Sequence, residues 1–187
     1  MNDKESCMRL EEISTKVLEY NTEKQRKSQL VRDKYYIRLC KEIASASKDP
    51  STKVGAIIVG PDHEIRSTGW NGFARNVNDT SARWNDRPTK YKYVVHAERN
   101  AVYNAARMGT PLKGCTMYVR PLFVCNVCAD AIIQSGIIEV VMMESRAISQ
   151  PIWEEVRSIS QSKLDEAGIK IRVVGYINEQ GEDIFYE

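Results

Sequence analysis

His96, Glu98, Cys125 and Cys128 are the residues of this chain whose types and spacing suit them for chemistry. Cys125 and Cys128 are three apart, so on a helix their side chains share one face. At a helix start the backbone dipole favours thiolate over thiol. Two thiolates and the neutral imidazole of His96 would give Zn2+ three ligands and cancel its charge, one ion per chain. Three protein ligands leave a fourth position for water, the catalytic arrangement; a closed structural site would need a fourth ligand, for which Cys115 is the candidate. Glu98 stands two residues after His96. In a regular helix that spacing turns the side chains to nearly opposite faces, so both reach one ion only if it lies off the helix end. The carboxylate can then accept a proton from water and return it to a leaving group. Among the remaining candidates, His63 reads as a solvated turn residue, Cys40 as a core thiol and Cys7 as part of an exposed arm.

The elements that must position these residues follow from the apolar pattern. Val31, Tyr35, Leu39 and Ile43, with Tyr36, Cys40 and Ala44 beside them, predict a helix that Asp49-Pro50 ends. Val54–Val59 reads as a buried strand, Gly60-Pro61-Asp62 as a turn, and Glu64–Trp70 as a returning strand. Residues 71–95 read as one long polar, aromatic and basic loop, a length that is usually functional. A helix is expected from His96 to Met108, capped by Gly109. A strand at Cys115–Arg120, a helix from Cys125, a strand at Ile137–Met143, a helix over 151–167 and a strand at Ile169–Val174 complete the pattern. Strands alternating with helices imply a layered α/β domain over residues 31–187. Residues 1–30 carry only a weak apolar pattern at Leu10, Ile13, Val17 and Leu18, and read as an accessory helix, an arm or an oligomer contact.

The chain has 187 residues, 42% of them hydrophobic and 28% charged, with a formal net charge of +2. This suits a single α/β domain. The weak charge argues against a dedicated nucleic-acid binder and leaves room for a small anionic substrate. No apolar run is long enough to span a bilayer, so no membrane role is expected. The polar, acidic start lacks a secretory pattern, and five cysteines, an odd count, imply reduced thiols and a cytoplasmic location.

Four motifs carry a resemblance: Lys53-Val54-Gly55-Ala56, Gly69-Trp70-Asn71-Gly72, His96-Ala97-Glu98-Arg99-Asn100-Ala101 and Cys125-Asn126-Val127-Cys128-Ala129. From about Tyr35 to Val141 the chain resembles the deoxycytidylate (dCMP) deaminase family of the cytidine deaminase superfamily. The resemblance implies a three-layer α/β/α cytidine-deaminase-like fold around a five-stranded mixed sheet. It implies His96, Cys125 and Cys128 as zinc ligands, Glu98 as proton shuttle and Asn71 on the sugar of the substrate. Lys53 and Arg120, beside the motif strands, are candidates for the phosphate. The activity implied is hydrolytic deamination of dCMP to dUMP and ammonia. Other cytosine nucleotides, nucleosides or bases, and a zinc-stabilised nucleotide-binding protein without turnover, remain open alternatives. The resemblance also implies a homo-oligomer, a hexamer, with dCTP and dTTP as effectors, and Arg107 at the end of the first motif helix as an interface or regulatory residue. One departure stands out: the family usually has Pro before the first zinc cysteine, where this chain has Val124, and the segment from Arg120 to Phe123 is one residue longer than usual.

Overall fold

The computed structural model describes residues 3–145 and 153–186, with side chains from residue 15 onward. The side chains of Cys7, Leu10 and Ile13 and the first residues of the helix expected over 151–167 lie outside what is described. Chain contacts divide the molecule into two units, residues 1–35 with Glu187, and residues 36–186. Helix α1 runs from Asp3 to Ser45. Its first unit is therefore helical, and it carries local ion pairs such as Arg26–Glu23 and Lys27–Glu23, each contributing a few tenths of a kcal/mol.

In the second unit α1 is followed by β1 (Gly55–Val59), β2 (Ile65–Trp70), β3 (Gly72–Phe73), α2 (Ser81–Asn85), α3 (Arg87–Tyr93), β4 (Val94–Val95) and α4 (Ala97–Met108). Then come β5 (Thr116–Arg120), α5 (Asn126–Gln134), β6 (Glu139–Ser145), α6 (Glu154–Glu166), β7 (Lys170–Ile177) and β8 (Asp183–Phe185). The main sheet has the order β2-β1-β5-β6-β7-β8. It is mixed: β5, β6 and β7 are parallel, whereas β2, β1 and β8 join antiparallel.

The central strands β1, β5 and β6 are buried on both faces, as their continuous apolar runs require. In β1, Ala56 and Ile58 face one side with Met117, Val119, Val140 and Met142, and there they meet Ala97, Ala101 and Ala105 of α4, Ala129 and Ile132 of α5 and Leu164 of α6. Ile57 and Val59 face the other side with Tyr118, Val141 and Met143, under Tyr36, Ile37 and Cys40 of α1. Period-2 alternation thus feeds two cores from one sheet, giving three layers. Each fully buried Ile or Val contributes about 1.5–3 kcal/mol. On α1 the packed row is Tyr36, Ile37, Cys40 and Ala44; Leu39 and Ile43 sit at its margin.

Two expectations need correction. The sheet has six strands, not five. The sixth, β8, is too short for a periodic signal, and distant partners hold it: Asp183 makes an ion pair with Arg120 at 2.6 Å, both side chains largely buried. The strand lies so close to β7 that a Cβ on Gly175 would meet the Ile184 carbonyl oxygen at 2.1 Å. Residues 71–95 are also not one loop. They hold two short helices and a β3–β4 ribbon with Gly72 paired to Val95 and Phe73 to Val94. Asp86 caps α3 by accepting from the Thr89 amide, with a proline in its first turn.

Candidate metal centre and proton-transfer site

His96 and Cys125 are each the residue immediately before a helix, and both have extended backbones, at φ −68°, ψ 155° and φ −76°, ψ 165°. Neither side chain caps its own helix. This resolves the spacing problem at His96 and Glu98. His96 stands outside the helical geometry, so its ring turns across the helix end while Glu98 sits in the first turn of α4. The two helix starts meet: His96 Nδ1 lies 3.3 Å from Cys125 Sγ and 3.4 Å from Cys128 Sγ. All three donor atoms lie within 4.8 Å of one another. A tetrahedral zinc ion with ordinary Zn–S and Zn–N bonds would separate its ligand atoms by about 3.5–3.8 Å, so this donor set fits one. Cys115 is buried elsewhere, near Arg66 and Glu64, and does not join the group.

The electrostatics suit metal binding and proton transfer. The Cys125 thiol is drawn down to about 4, first by the hydrogen bond from Cys128 and then, against burial, by His96. The Cys128 thiol is pushed up by the same bond and by burial. The pKa of His96 is raised by Cys125, against the desolvation of its inner edge. Glu98 is only 3% exposed. Burial lifts its carboxyl above the usual range, although His96 pulls it down.

Position of α4 fixes half of this site. Gly69 of β2 touches its backbone: a Cβ there would meet the Ala97 carbonyl oxygen at 2.3 Å and the Ala101 nitrogen at 2.4 Å. The helix is stitched to β2 by Asn100 Nδ2 to the Trp70 carbonyl, Asn104 Nδ2 to the Thr68 carbonyl and Ser67 Oγ to the Ala101 carbonyl, all within 2.7 Å. α5 starts beyond the carboxyl end of β5. That strand lies between antiparallel β1 and parallel β6. Before Cys125, Val124 is 2% exposed and packs into the core with Leu122 and Phe123.

The structure places the other candidates as follows. Asn71 is 5% exposed. Its amide N–H groups donate to Asp49 Oδ2 and the Thr52 carbonyl, and its Oδ1 accepts from the Val54 amide. Lys53 is exposed, with Nζ on the Ser45 carbonyl at 3.2 Å. Arg120 is buried and held through Nε and Nη2 by Asp183. Arg107 is exposed in the last turn of α4. His63 lies in a turn at positive φ, where its carbonyl accepts from Tyr36, and Cys40 is fully buried. Sequence reasoning missed Asp49 and Lys90. Asp49 reads only as a helix stop and Lys90 as one of many loop cations, yet they form a buried ion pair at 2.7 Å.

Fold and site together define a three-layer α/β protein with a two-thiol, one-imidazole metal cradle beside a buried, protonatable carboxyl. A family model described as the cytidine and deoxycytidylate deaminase zinc-binding region matches residues 30–144, and the chain belongs to that family. Deoxycytidylate deaminase of Homo sapiens is 41% identical over 128 residues, which is 66% of this chain and 70% of the human one. A probable deoxycytidylate deaminase of Drosophila melanogaster is 36% identical over 157 residues, 79% and 74% of the two chains. The crystal structure of dCMP deaminase from the cyanophage S-TIM5 in complex with dCMP and dUMP superposes with a TM-score of 0.59 at 21% identity, covering 75% of this chain and 94% of that one. That likeness is one of fold.

Proposed function

We propose that this protein deaminates dCMP hydrolytically, taking up one water and yielding dUMP and ammonia. The observation that carries this is the meeting of His96 Nδ1 with both cysteine sulfurs beside buried Glu98, in a chain 41% identical to human deoxycytidylate deaminase over two-thirds of its length. His96, Cys125 and Cys128 would hold one zinc ion. When bound, zinc supplies the Lewis acidity that makes water a nucleophile at neutral pH. Glu98 moves the protons. Its carboxylate takes one proton from the attacking water and delivers it to N3 of cytosine; it then takes the second from the hydroxyl now on C4 and passes it to the amino nitrogen, so that C4=O forms as ammonia leaves. Burial of Glu98 raises its affinity for a proton and so suits it to hold one between steps. Asn71 retains one acceptor lone pair on Oδ1 for a sugar hydroxyl. Of the two phosphate candidates we favour Lys53, which is exposed with its ammonium on the Ser45 carbonyl, because Arg120 is buried and engaged by Asp183.

The protein is also proposed to work as a homo-oligomer, a hexamer, in the reducing cytoplasm, activated by dCTP and inhibited by dTTP. In support, exposed Tyr103 of α4 and Val127 of α5 line an open, mostly apolar groove of about 620 Å3, and α4 ends in exposed Arg107 and Met108. No helix among the described residues is long and apolar enough to cross a membrane.

The test is ammonia release by the zinc-loaded protein from dCMP, CMP, dCTP, deoxycytidine and methylated dCMP, each with and without dCTP or dTTP. The expected result is fastest release from dCMP, with a sigmoidal curve shifted left by dCTP and right by dTTP, and a smaller shift in Arg107→Glu. Release from another substrate with none from dCMP would overturn the assignment. A hyperbolic curve indifferent to both triphosphates would remove the regulatory part alone.

A further inference from the structure

We propose that Lys90 is a positioning residue, whose buried ammonium clamps Asp49 and Ser51 and thereby fixes Asn71 across from His96. Lys90 Nζ donates to Asp49 Oδ1 at 2.7 Å and to Ser51 Oγ at 2.6 Å. The side chains of Lys90 and Asp49 are 10% and 3% exposed. The same Asp49 oxygen accepts the amides of Ser51 and Thr52 and the Ser51 hydroxyl. The other carboxylate oxygen accepts from Asn71 Nδ2 at 3.1 Å. Ser47 Oγ donates to the Asn71 carbonyl, and the Asn71 amide N–H to the Val54 carbonyl. Asn71 is therefore gripped from residues 47–54 on both its backbone and its side chain.

Lys90 joins this cluster to the metal cradle. It lies in the last turn of α3, which runs directly into β4. In the β3–β4 ribbon Gly72 pairs with Val95, so the next register position sets Asn71 opposite His96. The ribbon ties these two residues on one side, and Lys90–Asp49 ties the segments that carry them on the other. A buried ion pair is a poor source of stability, because apolar residues of the same volume often do as well or better. What a charged, multiply bonded pair supplies is one fixed geometry. Here that geometry is the placement of Asn71, the residue assigned to the sugar, relative to the β4 strand that leads into His96.

This inference rests on the dCMP reading, and the experiment separates the two. Zinc-loaded full-length wild type, Lys90→Met and Asp49→Asn/Lys90→Met are compared for melting temperature, zinc content, kcat and KM for dCMP, and hydrogen exchange. The double variant leaves no unpaired buried charge and guards against misfolding of the single one. The expected result is retained zinc and a recovered melting temperature in the double variant. In both variants KM for dCMP rises about tenfold or more while kcat stays near wild type, as loss of binding shared by substrate and transition state predicts. Amides of Ser51, Thr52 and Val54, and of Val95 and His96, exchange faster. A folded double variant with wild-type KM would overturn the positioning role and leave the pair a strut. If wild type released no ammonia from dCMP, the functional reading would fall by itself; the clamp would then stand or fall on exchange at Val95 and His96, with unchanged protection in the double variant overturning it.

Discussion

At the scale of single residues, Cys125 is the group prepared for a metal cation. A thiol drawn down to about 4 is a thiolate at neutral pH, so little proton competition opposes binding there. The Cys128 thiol is pushed the other way by burial and by Cys125, and metal binding, which needs thiolates, releases protons. Cys125→Ser and Cys128→Ser are each expected to lose zinc, because a serine hydroxyl stays protonated where the sulfur ionises. Metal analysis of purified protein should give about one ion per wild-type chain and strongly reduced occupancy in both variants; full occupancy in both would remove these residues as ligands. The four residues of this site are legible in the sequence because their spacing is local: one pair within three residues of chain, one within four. The environment of Asn71 is not. Its amide partners, Asp49, Thr52 and Val54, lie 17 to 22 positions earlier, and no local pattern announces a pairing made by the fold.

At the scale of elements, segment 47–54 and helix α3 are joined by a carboxylate whose protonation can be followed. Burial pushes the Asp49 pKa up, but Lys90, the amides of Ser51 and Thr52 and the Ser51 hydroxyl outweigh it, and the carboxyl is held below its usual value. A carboxyl depressed in the folded state contributes stability that is complete above its unfolded pKa, about 3.9, and is lost as pH falls through the lower folded value. Asp49→Asn should therefore melt below wild type at pH 7, by the equivalent of about 3–5 kcal/mol for a buried pair missing one partner. The gap should narrow as pH falls from about 5 to about 3. A gap that stays constant over that range would contradict the account. Elements with apolar periodicity, such as β1 and α4, are legible to within a residue or two. α2, α3 and β8 are too short for a period to show, and single apolar side chains such as Trp84 and Phe185, together with hydrogen bonds and ion pairs, hold them.

At the scale of the whole molecule, the sheet explains why two helix starts distant in sequence make one site. β1 and β5 pair side by side, with α4 packed across β1 and β2 and α5 following directly from β5, so the N-terminal ends of α4 and α5 converge over one end of the sheet. The alternation of helices and strands makes this layered plan legible, and the edge strand β8 is the part it omits. In the proposed reaction the cradle binds the metal while buried Glu98 carries the protons. The measurement that tests it most directly is zinc content and ammonia release from dCMP in Glu98→Gln beside wild type. The account predicts zinc at the wild-type level and a rate lower by about two to four orders of magnitude. A Glu98→Gln protein that keeps its zinc and releases ammonia at nearly the wild-type rate would contradict it.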